Sequence, residues 1–256
     1  MRTRWAAHIF GSAVLAFLML PILAVVPASF NHQTFIRLPP ETWSLRWYGR
    51  FFADREWLTS LWTSFEVAVI STLLSVALGT AAAIGLARLG GRLRALLTGL
   101  VLAPMIVPVI VTAVALYYLG RYWGLTGTVL GLSIAHVLTC LPFVVLNVGV
   151  SLRALDPNWL RAAEGLGASP ARVFFTVTLP TILPGLFGGA AFSFISSFDE
   201  VTMSIFLAGI TAKTLPVKMW ETVRLEFTPV LSVASTLLIV LTIATFAAFR
   251  VAGRRT

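Results

Sequence analysis

Charge is scarce in this chain. Asp, Glu, Lys and Arg make up 11% of its 256 residues, whereas soluble domains carry about 25%. A water-facing surface cannot be built at that density, so lipid is the main solvent. Cysteine is nearly absent. The single Cys140 lies in an apolar run, which excludes an intrachain disulfide and makes it a packing residue. Histidine occurs only at His8, His32 and His136, scattered and without the neighbouring ligands that a metal site needs. His136 falls mid-span and reads as a hydrogen-bonded packing residue. No G-x-x-x-x-G-K-[ST] phosphate loop is present, and "GITAKT" at 209–214 lacks the second glycine. The chain therefore has no such device for ATP, and no cofactor is expected in it. No clustered His, Asp or Ser at a span end suggests a membrane-embedded enzyme. There is no internal repeat, low-complexity segment or soluble domain.

What the chain has in quantity is apolar length. Six stretches come close to the roughly 20 residues needed to cross a bilayer: 9–30, 62–87, 95–119, 128–152, 182–208 and 229–252. The expected fold is an all-α integral membrane protein, a single domain over 1–256. Arg2 and Arg4 precede the first stretch as in a signal peptide. That stretch is long for one, and "VPASF" is a poor cleavage site, so it is read as an uncleaved helix.

The net charge of +9 is a topology signal. The short segments "RLGGRLR" (88–94) and "RVAGRRT" (250–256) carry no acid, which puts their side, and both termini, in the cytoplasm. No basic run is interleaved with aromatics as on a nucleic-acid face, so no nucleic acid partner is expected. Residues 31–61 are then outside. Their stretch "WSLRWYGRFFADREW" (43–57) reads as a short interfacial helix with rings at the headgroup level. Ligand stacking is the alternative.

Residues 153–181 fall on the inner side, a long connection for a bundle. "DPNWLRAAEGLG" reads as a short helix with Asp156 as N-cap, Pro157 at the first position, and Gly165 and Gly167 near its end. "SPARVFFTVTLP" reads as a second helix, capped by Ser169, started by Pro170, and stopped or kinked by Pro180. The small-residue corner between them lets another surface approach closely. The residues alone leave open whether it docks a partner or is a surface loop.

The stretch resembles the signature loop of ABC-importer permeases: Glu-Ala-Ala, two residues, a variable position, Gly, nine residues, Ile, one residue, Leu-Pro. Here Ala162, Ala163, Gly167, Val177, Leu179 and Pro180 hold that spacing. Arg161 replaces the usual Glu, and Glu164 lies on nearly the same helix face. "TCLPFVVLNV" (139–148), "SFISSFDEVTMSIFLAG" (193–209) and "TLPVKMWETVRLEFTPVLSVASTLLIVLT" (214–242) resemble permeases of the spermidine/putrescine type.

The resemblance implies a six-span permease of the bacterial inner membrane with a MetI-like fold. It implies a second permease subunit beside this one, two ATP-binding subunits below it that hold ATP and Mg, and a periplasmic binding protein outside. Coupling to the ATPases falls on Asp156, Arg161, Ala162, Ala163, Glu164, Gly167, Ala168, Leu179 and Pro180. The cargo implied is a small cation, a polyamine such as spermidine or putrescine. The alternatives are an importer for another small solute or an ion-coupled secondary transporter, and the missing repeat weighs against the latter.

Three acids fall within or at the ends of spans, where ionisable groups usually face a cavity or a partner. Asp199 lies about 26 Å along a helix from Ile182, and Glu200 follows it, on a different face if the helix continues. Glu66 is just inside the outer end of the second span. The expectation is that at least one, Asp199 foremost, lines the solute entry. Otherwise Glu66 reaches the interface, and Glu200 pairs with Lys213 or Arg121. "APMIVP" (103–108) is expected to break the third span, and "LPTILPG" (179–185) to kink or hinge the fifth. "GLFGGAAFS" (185–193) gives the fifth a small face for close helix packing or for a second permease.

Overall fold

The computed structural model describes residues 2–35, 38–225 and 228–254, and its regular elements there are helices. Asn31 and Trp43 add one isolated antiparallel bridge. Arg255, part of the basic C-terminal segment, lies outside the described residues.

Helix α1 is Arg2–Ser29, and its apolar stretch runs from His8. Helix α2 is Arg46–Ala53. Helix α3, Arg55–Arg88, starts well before the apolar run at 62 because the Asp54 carboxylate accepts from Glu56 N–H at 2.8 Å and caps the polar first turn. Helices α4 (Gly91–Leu102) and α5 (Val109–Tyr122) flank the Ala103–Met105 turn and meet at 93°. Pro104 and Pro108 supply no N–H across that break, which is the physical cause of the bend. Helix α6, Val129–Arg153, is capped by Thr128, whose Oγ1 accepts from Gly131 N–H at 3.0 Å.

Next come α7 (Pro157–Gly165) and α8 (Pro170–Val173). The chain then runs through a π turn, Phe174–Thr178, into α9 (Leu179–Phe198) without a break. Pro180 was expected to stop or kink the segment, yet the helix continues. Proline cannot donate to the carbonyl four residues back, and the wider π turn lies where that bond is missing.

The fifth span was expected to run to 208. Instead α9 ends at Phe198 with Asp199 as its C-cap, and a short α10 (Thr202–Leu207) follows. Asp199 and Glu200 therefore sit in a break rather than on adjacent helix positions. Helices α11 (Leu215–Leu225) and α12 (Val230–Arg254) complete the chain. Among the described residues five helices are long and apolar enough to cross a membrane, and the bent α4–α5 pair makes a sixth if it counts as one span.

The chain divides into two compact units. The first comprises the residues up to Thr59 with Lys218–Leu241. Here two rings of the aromatic segment turn into the unit, where headgroup-facing rings were expected. Trp47 and Phe51 are 0% exposed. Trp47 Nε1–H donates to the Gln33 carbonyl at 3.2 Å, the Arg46 and Arg50 guanidinium groups lie over its ring, and Phe51 packs on Trp57 at 5.4 Å. Burying an indole requires a partner for its N–H, and the 31–35 loop supplies one. Trp43 and Phe52 stay exposed. Lys218 lies over the Trp57 ring and donates to Glu56.

The second unit comprises Ser60–Val217 and the chain from Thr242 on. Its main contact is between α6 and α9, and the pairing steps by one helical turn on each. His136 meets Ser197, and Cys140 meets Ser193. Gly189 lies against Val144, and Gly185 against Asn147 and Ser151. Cys140 Sγ–H donates to the Ser193 carbonyl at 3.3 Å, and Ser193 Oγ–H returns a bond to the Cys140 carbonyl at 3.1 Å. The small face of α9 is thus occupied by α6 of the same chain, and the buried Gly185, Gly189 and Ala190 are not left for a second permease.

Candidate functional site

Two parts of the second unit carry the sequence candidates. One is the corner between α7 and α8. Asp156 caps α7 by accepting from Asn158 N–H at 2.9 Å, and Ser169 caps α8 by accepting from Arg172 N–H at 3.4 Å. Between them Gly167 has φ +80. Its N–H donates to the Glu164 carbonyl at 2.9 Å, and Ala168 N–H donates to the Ala163 carbonyl at 3.1 Å. This is a Schellman ending, which demands a left-handed residue at that position and explains the glycine in physical terms.

The corner presents Arg161, Ala162, Glu164 and Gly167 to the outside, and Leu166 is 89% exposed. Ala163 and Ala168 are half-buried. Leu179 behaves differently. It packs against the cluster of Ala83, Val144, Val145, Val148 and Ile182, so it anchors the segment rather than offering surface. Pro180 is exposed. Glu164 lines a cavity of about 300 Å³ together with Arg88, Leu160, Val173 and Phe174.

The other part is the break between α9 and α10. Asp199 is exposed in this chain. Glu200 Oε1 accepts from Met203 N–H at 3.0 Å and caps α10. Glu66 accepts from the indole N–H of the exposed Trp62 at 2.7 Å. Its neighbour Phe65 packs on Phe194 at 6.0 Å, and Val67 shares a cluster with Met203 and Leu207. These contacts bring the Glu66 end of α3 to the level of the break, so the three acids belong to one end of the unit.

His136 holds that break from beneath. It is fully buried, with Nδ1 2.9 Å from Ser197 Oγ on α9 and Nε2 3.2 Å from Ser204 Oγ on α10. The Ser204 hydroxyl donates to the Glu200 carbonyl at 2.9 Å. With that proton committed, Nε2–H donates to Ser204, and Nδ1 accepts from Ser197. One imidazole therefore ties three helices around the residues that carry Asp199 and Glu200. His136→Leu leaves these buried hydroxyls short of a partner, at about 1–3 kcal/mol. It is expected to lower the melting temperature of the purified chain, with His136→Asn recovering part of the loss. Equal melting of His136→Leu and the parent would contradict this role.

Sequence reasoning missed Ser197 and Ser204, which lie 61 and 68 residues from His136. A serine in an apolar run carries no local signal of such a partner. No group of three or more His, Cys, Asp or Glu able to hold a metal occurs among the described residues.

Long apolar helices, joined through small residues and buried hydroxyls and carrying a capped exposed corner, define a multi-pass membrane protein. The chain belongs to the family described as binding-protein-dependent transport system inner membrane component, whose pattern matches residues 75–256. It is 31% identical over 231 residues to the putrescine transport system permease protein PotI of Escherichia coli (strain K12), covering 87% of this chain and 82% of that protein. It is 32% identical over 235 residues to the spermidine/putrescine transport system permease protein PotC of Haemophilus influenzae, covering 92% of this chain and 91% of that one. Among solved structures, a bacterial ABC transporter involved in the import of the acidic polysaccharide alginate superposes with a TM-score of 0.75 at 17% identity, covering 98% of this chain and 97% of that one. This last likeness speaks to fold alone. The chain is a permease of a binding-protein-dependent transport system.

Proposed function

We propose that this chain forms half of a polyamine route through the bacterial inner membrane, with both termini cytoplasmic, and that a second, different permease subunit forms the other half. Two ATPase subunits dock at 156–180 and hold ATP and Mg, so the chain itself carries no cofactor and performs no covalent chemistry. A periplasmic binding protein delivers the solute to the opposite end. Closure of the ATPase pair on ATP moves the corner. The α8–α9 rod carries that motion to the break at Asp199 and Glu200, opening the route outward. Hydrolysis resets the inward-facing state.

The observation that carries this reading is the corner. A rigid capped turn with Leu166 exposed and Ala162 and Gly167 beside it is built for close contact with another surface. Continuity from α8 through the π turn into α9 supports the transmission step. Two relatives named for putrescine or spermidine, together with three acids at one end, support a cationic cargo.

Asp199→Asn tests the route in the assembled transporter. Loss of one charged contact to a cation is worth about 1.5 kcal/mol, or about tenfold. The apparent KM for labelled putrescine is expected to rise by that factor. Unchanged affinity and rate would remove Asp199 from the route.

A further inference from the structure

A second cavity lies beside the coupling corner, and the transport cycle above makes no use of it. It measures about 390 Å³ and is walled by the C-terminal ends of α3 and α6, by α4, and by the link into α7. Arg94 on α4 and Arg153 at the end of α6 both line it, with Thr98 between apolar walls that include Leu146 and Val150. Among the described residues no acidic side chain lines it. Neither arginine makes an ion pair among the described residues. The acids nearby are engaged or turned elsewhere: Asp156 caps α7, and Glu164 lines the adjoining cavity with Arg88.

Two arginines lining one pocket without a carboxylate match a phosphate, whose oxygens can take the paired N–H donors of their guanidinium groups. The surroundings select the kind of phosphate. Val150 at the rim is 66% exposed. Helix α4 has no buried residue, and Leu93, Leu96 and Leu100 stand exposed along it. A free phosphate has no use for such walls, whereas an acyl chain does. We propose that this cavity binds one anionic phospholipid, its phosphate between Arg94 and Arg153 and its acyl chain along Leu146, Val150 and α4.

The site has a mechanical consequence. Leu152, Leu155 and Pro157 are shared between this cavity and the one beneath α7 and α8. The headgroup thus rests against the stem of the corner, and lipid occupancy stiffens the element that meets the ATPase.

Lipid retention can be read without transport, so the result is independent of which solute is carried. The assembled transporter is purified in mild detergent with equal amounts of phosphatidylglycerol and phosphatidylcholine, and bound lipid is counted by native mass spectrometry. The parent is expected to keep one phosphatidylglycerol per copy of this chain. R94Q/R153Q is expected to lower its affinity about 30-fold, at about 1 kcal/mol for each arginine. R94K/R153K retains the charges without the paired donors and is expected to lose less affinity than R94Q/R153Q, which separates loss of charge from misfolding. R121Q, at the other end of its span, matches the parent. Equal retention of both lipids by the parent, or equal phosphatidylglycerol affinity in R94Q/R153Q, overturns the proposal. So does displacement of the lipid by inorganic phosphate, which would make the site one for a free anion. A disulfide from R94C to an ATPase subunit would place protein there and also overturn it.

Discussion

Gly167→Val is expected to abolish co-purification of the ATPase partners and to lower ATP-driven uptake at least tenfold, while the chain still inserts and keeps its helix content. The cause is local. Gly167 stands at φ +80, and the two Schellman bonds from Gly167 and Ala168 depend on that conformation. A β-branched residue there costs about 2 kcal/mol, which shifts the corner out of its ordered state about 30-fold. Nothing lies within 4 Å of a side chain added at Gly167. The damage is therefore to backbone geometry and not to packing. Gly167→Asn separates the two, because asparagine tolerates the left-handed region, and it is expected to recover most of the activity. Co-purification and uptake by Gly167→Val at parental levels would detach the corner from ATPase contact.

Gly185→Leu is expected to act on the opposite side of the problem, destroying the folded chain rather than its docking. Even a methyl group at Gly185 would overlap Ser151 Oγ and the Asn147 carbonyl oxygen, and a backbone carbonyl cannot turn aside. One turn along, a Cβ at Gly189 would come within 2.9 Å of Val144 Cα. Relief requires α6 and α9 to separate, which would pull apart the reciprocal Cys140–Ser193 bonds and the His136 clasp. Overpacking of this kind costs about 3 kcal/mol or more. Loss of the monodisperse peak in size-exclusion chromatography, or a melting temperature lowered by about 10 °C, is the readout. Gly85→Ala is the control. No heavy atom lies within 4 Å of its added carbon, and the helix propensity gained there is about 1 kcal/mol. A Gly185→Leu chain that melts with the parent would contradict the close α6–α9 contact.

These two glycines mark what a sequence discloses and what it hides. The corner was legible because its determinants are neighbours: Asp156 with Pro157, Ser169 with Pro170, and Gly167 two residues beyond the end of α7. The bend of the third span was legible from Pro104 and Pro108 for the same reason. The passage through Pro180 was not, because a π turn is one of several ways to live with a missing N–H, and its neighbours do not choose among them. Trp47 and Phe51 misled because rings at a headgroup and rings in a small core share one composition. Only the Gln33 carbonyl, 14 residues away, distinguishes the two. The break at Asp199 was hidden by a largely apolar run that continues to 208 in composition, while helix α9 ends at 198. His136 was placed correctly as a packing residue, yet its serines on α9 and α10 emerge only when the helices meet.

The most direct test of the whole account is reconstitution. This chain, a second permease subunit and two ATPase subunits are assembled in proteoliposomes, with the binding protein and labelled putrescine outside. Uptake is expected only with ATP inside and loaded binding protein outside, and it should be lost with Gly167→Val. Uptake by this chain alone, driven by a proton or sodium gradient without ATP, would contradict the account.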